Sequence, residues 1–454
     1  MKNIKYILSL FVATSLLVLG ACNDNPTPNH SFFLKYFGDD GFQTCSDFEV
    51  DSDGYFYMVG TSGNGAGNTD SLFLVKADPG GALVWKRTIR PGVFENNGRT
   101  GMGIQARDIE LLSDGSMIVT GNVYMTAGDR DIFVAKFSRE AGELLRGNSF
   151  SPYNNEGQSD ALPHDDEAFT ITEISDGGFI IAGYSSGLSR SAGQTAHVRD
   201  GVHIRLDNNL VMLPKADWKQ VLDQGIVTVE TKVVQLDEHT FYTFGYGSGG
   251  DPSIPDINFT ASKIDSAGKT SPVLSTGTTF GIDNANERLG SVCLLSGNGI
   301  NDTYFMLGIS TPAGAVPSSQ LFAAAMVQSE DNSGEQILTP SAVPSTVSFP
   351  GLGLRTPGTA YTSCIASASG GILVLTNEST NGESNWLLIR LATDGSQLWQ
   401  KAITFGGEGD DFAGSVKELS DGKIIISGTF SLGGKLGETK MVLMKLNSLG
   451  RLAD

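Results

Sequence analysis

Histidine is scarce in this chain of 454 residues: there are five, and no two form a His-x-x-x-His pair. Cysteine is scarcer, with four, and none sits in a Cys-x-x-Cys. The usual zinc-site spacings are therefore missing. Basic residues are outnumbered by acidic ones, 31 to 50, for a formal charge of −19. Such a body repels nucleic acid and anionic membrane surfaces, so neither is expected as a partner. After residue 22 no apolar run is long enough to span a bilayer. No stretch there shows an apolar period of 3.6, so helix is expected to be minor. There is also no Gly-x-Ser-x-Gly elbow, no phosphate loop and no Asp-x-Asp-x-Asp-Gly calcium loop.

What is present is a repeat. An Asp-Gly turn leads into a short apolar strand at Asp53-Gly54, Asp114-Gly115, Asp176-Gly177 and Asp421-Gly422. Weaker copies start at Asp237, Asn298 and Ser369, and the steps between anchors are 61, 62, 61, 61, 71 and 52 residues. A near-constant period over seven copies means a repeat fold. Each copy holds four apolar runs of strand length, rich in Val, Ile, Phe and Tyr and bounded by Gly, Asn, Asp and Ser. Tight hairpins are expected at Asp78–Gly81, Asp265–Gly268 and Thr393–Gly395, where Gly and Asp tolerate positive φ. The expected fold is all-β: a seven-bladed β-propeller of four-stranded antiparallel blades. The last copy lacks a fourth strand, and Ser31–Gly38 resembles the fourth strand from Ser396 to Gly407. The N-terminal strand is thus expected to complete the last blade by pairing with residues 439–447, which removes an open edge. The runs KTSPVLS and ILTPSAV make poor fourth strands in copies four and five.

Ser175–Tyr184 (SDGGFIIAGY) and Phe73–Asp78 (FLVKAD) resemble the repeats of bacterial lipoprotein-anchored propellers, of the form SDGG-I-I-GY followed by LVKLD. The N-terminus agrees with that resemblance. Lys2 and Lys5 precede an apolar run from Tyr6 to Leu19, and Leu19-Gly20-Ala21-Cys22 resembles a lipobox. The resemblance implies a signal peptide over 1–21, cleavage before Cys22 and lipidation there, which anchors the chain to a membrane. Residues 22–30 read as a polar tether, and 31–454 as the propeller. The expected location is the cell envelope, at the outer membrane, on either face.

The candidate ligand site is an acidic rim. Loops leading into the first strand of a copy carry Asp39 and Asp40, His164, Asp165, Asp166 and Glu167, and Asp410 and Asp411. Converging carboxylates suit a cation or a basic partner, and weak, salt-sensitive Ca²⁺ binding is the most they predict. A local role is the alternative, since Asp166 and Asp411 both lie ten residues before a turn anchor and suit turn capping. No cofactor, no metal site and no catalytic residue is assigned. Cys293 and Cys364 each lie five residues before a turn anchor, in a slot that otherwise holds Phe48, Ile109, Ile171 and Val416. Both are expected to be buried small hydrophobes rather than a disulfide. The functional expectation is a monomeric, non-enzymatic scaffold that binds an envelope protein or glycan. The alternative is a propeller hydrolase or lyase acting on a polysaccharide at the central mouth.

Overall fold

The computed structural model describes residues 32–453, apart from 64–68, 97, 127, 153–164, 187–198, 215–219, 223–227, 249–255, 276–278, 297–301, 313–319, 342–344, 349–361, 381–382, 400 and 433–437. The described chain is all-β, with small antiparallel sheets in a propeller arrangement and a single 3-10 turn at Pro91–Val93. Among the described residues no helix is long and apolar enough to cross a membrane.

The Asp-Gly turns explain the repeat locally. Gly54, Gly115, Gly177 and Gly422 have φ of 82°, 85°, 84° and 78°. Each donates its N–H to the carbonyl three residues back, for example Gly115 to Leu112 at 3.1 Å. The preceding Asp114, Asp176 and Asp421 accept from the N–H two residues on, at 2.9, 3.0 and 3.1 Å. Gly and Asp are thus both required by one turn. A basic residue at the end of the third strand completes it: Lys136 Nζ donates to Asp114 Oδ2 at 2.6 Å, and Arg205 pairs with Asp176.

The glycine that ends each second-strand motif has a different cause. An ideal Cβ on Gly121, Gly183, Gly245 or Gly308 would meet a backbone carbonyl of the first strand at 1.9–2.1 Å, and one on Gly60 the carbonyl of Thr44, just before that strand, at 1.8 Å. In several of these copies a β-bulge in the first strand pushes its backbone against the second at that point.

Five sheets hold four or five strands each, and one holds nine. Copy two is typical: Gly103–Leu111, Ser116–Thr126, Asp129–Ser138 and Leu144–Phe150 pair in sequence order. Seven separate sheets are expected from the repeat, and the structure departs from this where the chain ends meet. There β1 (Phe33–Phe37) pairs antiparallel with Thr439–Leu446, from Phe33 opposite Lys445 to Phe37 opposite Met441. The short β2 (Phe42–Gln43) then pairs with both Thr439 and β4 (Phe56–Gly63), which fuses the last copy to the first. The first copy continues with β3 (Asp47–Val50) beside β4, then β5 (Ser71–Ala77) and β6 (Leu83–Ile89). The poor fourth strands of copies four and five shorten to Thr270–Pro272 and Gln336–Pro340, each ending on a proline that cannot extend the ladder.

The core lies between the sheets. Among the described residues, successive copies meet through hydrophobic clusters: Tyr57, Val59 and Leu74 with Val119 and Phe133, or Leu375 and Trp386 with Ile426 and Val442. The last copy meets the first in the same way, with Met441 and Leu443 packed on Phe56, Val75, Phe33 and Phe37.

Candidate functional site

The first strands face one axis. In β3 the burial alternates: Asp47 and Glu49 are half-buried, while Phe48 between them is fully buried in the core. Matching positions in the other copies hold Asp108, Thr170, Lys232, Ser291, Ser363 and Ser415. Side chains in this slot reach the next copy. Ile109 N donates to Asp47 Oδ2 at 3.4 Å, and Ile171 N to Asp108 Oδ2 at 2.8 Å. Lys232 Nζ lies 3.4 Å from Thr170 Oγ1. Cys364 N donates to Ser291 Oγ at 3.2 Å, and Val416 N to Ser363 Oγ at 3.2 Å. Phe48 N donates to Ser415 Oγ at 3.3 Å, which carries the pattern from the last copy to the first.

A serine hydroxyl serves this bond in three copies, so the bond does not require a carboxylate. At Asp108 the carboxylate is costly. Burial, and then the charge of Asp47, hold its carboxyl well above the usual range. One turn of the pleat further on, burial pushes Glu110 up to about 7, although it accepts from Glu173 N at 2.9 Å. Burial also raises Glu49, against the pull of Lys417, whose Nζ donates to Glu49 Oε1 at 2.6 Å. Lys232, from the fourth copy, draws Glu49, Asp108 and Glu110 the other way. Four carboxyls and two lysines from four copies therefore act on one another around the axis. Clusters of shifted carboxyls that a fold does not need mark working sites more often than chance.

A cavity of 360 Å³ lies beside these strands, lined in part by Cys45 and Ala106, which come two residues before Asp47 and Asp108 respectively. Ser46, Thr61, Asp70, Gln105, Arg107 and Thr439 give it a polar wall. Phe42, Cys45, Ala106, Phe412 and Ala413 make another part of its lining apolar.

The pH dependence follows from Glu110. Its carboxyl titrates near 7 when folded and near 4.5 otherwise. Between those values the folded chain holds a proton that the unfolded chain has released. The resulting stabilisation is complete below about pH 4.5 and is lost as pH rises through 7, on the order of 2–3 kcal/mol. Glu287, also pushed up to about 7 by burial, acts in the same direction. The melting temperature should fall between about pH 5 and pH 8, and fall less in Glu110→Gln; scanning calorimetry across that range checks it.

Of the described acidic-rim residues some are exposed and others are buried against partners of their own. Asp39 and Asp40 are exposed, and Asp39 is paired with Lys86. Asp410 is exposed and accepts from Ser384 N at 2.9 Å. Asp411 is fully buried; its oxygens accept from Ser431 N at 2.7 Å and Gly407 N at 2.8 Å. Asp166 is fully buried between the Ser151 and Ser185 hydroxyls, and burial holds its carboxyl well above the usual range. Glu167 is buried against Arg107 and Arg130, and Asp165 pairs with Arg130. These last carboxylates are held by the fold, in the local roles that turn capping and ion pairing describe. His164 and Cys22 lie outside the described residues. Among the described residues no group of three or more His, Cys, Asp or Glu is arranged to hold a metal ion.

The signal for the axis residues was present in the sequence. Asp47-Phe-Glu49 and Asp108-Ile-Glu110 are the same Asp-x-Glu at the same place in two copies. A second buried charge, His203, was not legible: it lies 3.4 Å from Glu230, on the next copy's first strand. Burial draws its pKa down, but Glu230 outweighs this and leaves it raised.

No family model matches the chain, and no curated protein matches it in sequence. Among solved structures, an alpha-L-arabinofuranosidase from Fusarium graminearum with an iminosugar inhibitor is 12% identical, at a TM-score of 0.44, over 76% of this chain and 92% of that one. An alpha-L-arabinanase from Penicillium chrysogenum with arabinobiose is 13% identical, at 0.43, over 75% and 93%. The polysaccharide lyase Uly1 is 9% identical, at 0.47, over 91% of each chain. Likenesses this distant carry no argument about chemistry, so the functional reading rests on the residues at the axis.

Proposed function

We propose that the protein is a seven-bladed propeller that cleaves a polysaccharide at its axis, as a hydrolase or lyase of the cell envelope. The carrying observation is the surplus of carboxyls at Asp47 and Asp108, where serine suffices for the fold in other copies, with Glu49 and Glu110 beside them on the same strands. Cleavage of a glycosidic bond uses one carboxyl that can give or take a proton near neutral pH and a second group that carries charge. Glu110, raised to about 7, suits the first role. Glu49, ion-paired with Lys417, suits the second. In this reading the fused nine-stranded sheet counts as the seventh and first blades, closed by β1, and the chain is anchored through lipid on Cys22. The anchor would hold the axis near envelope glycans.

The same residues also fit a scaffold that binds a glycan without cutting it, because Asp47 and Asp108 do accept backbone N–H groups. A panel of neutral and acidic polysaccharides separates the two. Cleavage predicts new reducing ends, or unsaturated ends absorbing in the ultraviolet, with kcat lower by about 10²–10⁴ in Glu110→Gln. Polysaccharide binding without any product would favour the scaffold and overturn cleavage.

A further inference from the structure

Counting back from the turn anchor places Cys293 and Cys364 in the same core slot, but the strand register separates them. Phe48 stands opposite Met58, two residues before Gly60, and Cys364 likewise stands opposite Val374, two before Thr376. In the fifth copy the residue two before Gly308 is Met306, and it faces Val292. A bulge between Leu294 and Ser296 adds one residue, so Cys293 turns to the other face of the strand. There it shares a face with Ser291, the residue that reaches the sixth copy.

That face lies against Cys364. The strands Ala285–Ser296 and Thr362–Ala366 run side by side. Ser291 Oγ accepts from Cys364 N at 3.2 Å and lies 3.4 Å from Cys364 Sγ. Cys293 packs against the cluster that contains Cys364. Both thiols are reduced in this structure.

We propose that Cys293 and Cys364 are a redox-modified pair that forms a disulfide between the fifth and sixth copies. The two thiols lose two electrons and two protons, and one Sγ–Sγ bond forms. The oxidant is a disulfide of the glutathione or thiol-oxidoreductase class, which leaves as two thiols. The contact between the thiols, and burial, hold the Cys293 thiol well above its ordinary range. Little thiolate is then present, so the exchange should be slow at neutral pH even though the partners are already adjacent. Cys45 lies apart, between the last and first copies, and serves as an internal control.

The test incubates the purified full chain with oxidised glutathione, then denatures and alkylates it without reductant. The expected result is a labelled Cys45, with the peptides carrying Cys293 and Cys364 unlabelled and joined. Reductant should then lower the melting temperature by about 2–5 °C, a shift absent from Cys293→Ser. Labelling of both Cys293 and Cys364 after oxidation, or separate mixed disulfides with glutathione, would overturn the proposal. So would an equal oxidant-dependent shift in Cys293→Ser.

Discussion

Deleting residues 23–38 is expected to unfold or aggregate the protein under conditions where the full chain is stable. The segment contains β1, whose five residues pair with Lys445 through Met441. Phe33 and Phe37 are 6% and 5% exposed and pack in the cluster that joins the last copy to the first. The Phe33 ring meets Phe56 edge-on at 6.0 Å. Removing two buried phenylalanines costs about 3–5 kcal/mol each, a sum similar to the whole stability of a domain. The deletion also bares the edge of Thr439–Leu446, a template for pairing with other chains. Phe33→Ala, which keeps the strand, should cost about 3 kcal/mol. Melting curves and light scattering read both, and an unchanged curve for the deletion would mean that the chain ends do not hold each other.

Arg130→Ala is expected to cost about 3 kcal/mol, a large loss for a change at a charged residue. Arg130 pairs with Asp165 and donates to Glu167 Oε2 at 3.2 Å and to the Tyr184 hydroxyl at 2.8 Å. Its side chain is 11% exposed and that of Glu167 is fully buried. The variant leaves Glu167 with Arg107 and the Tyr184 hydroxyl, and removes the guanidinium that donates to that hydroxyl. A buried carboxylate short of partners is costly, so the loss should exceed that of an exposed ion pair. Urea denaturation checks it, and a loss under about 1 kcal/mol would contradict the role given to this network.

The parts of the fold that the sequence discloses are those fixed by neighbours along the chain. Asp114 and Gly115 satisfy one turn between them, and the same two residue types recur because the same turn recurs. Phe33–Phe37 was legible because its pattern matches another copy's fourth strand. The partners of the acidic-rim residues were not legible, for the opposite reason. Asp165 and Glu167 look solvated in sequence, but their partners Arg130 and Arg107 come from the preceding copy, 35 and 60 residues away. Cys293 was misplaced by one residue because a bulge leaves no mark in a spacing count. The axis residues stood in plain alignment, but a polar residue in a first strand reads equally as a channel wall. Only the serines of other copies show that the carboxyl at position 108 exceeds what the fold needs.

Asp108→Ser tests that point most directly. Serine is the residue that makes the same inter-copy bond at positions 291, 363 and 415. The variant relieves the carboxyl pair with Asp47, so its melting temperature at about pH 8 should equal or exceed that of the parent chain. Polysaccharide cleavage, measured on the same preparation as released reducing or unsaturated ends, should be lost. A variant that melts well below the parent, or that cleaves as fast, would show that Asp108 serves the fold or nothing, and would contradict a working site at the axis.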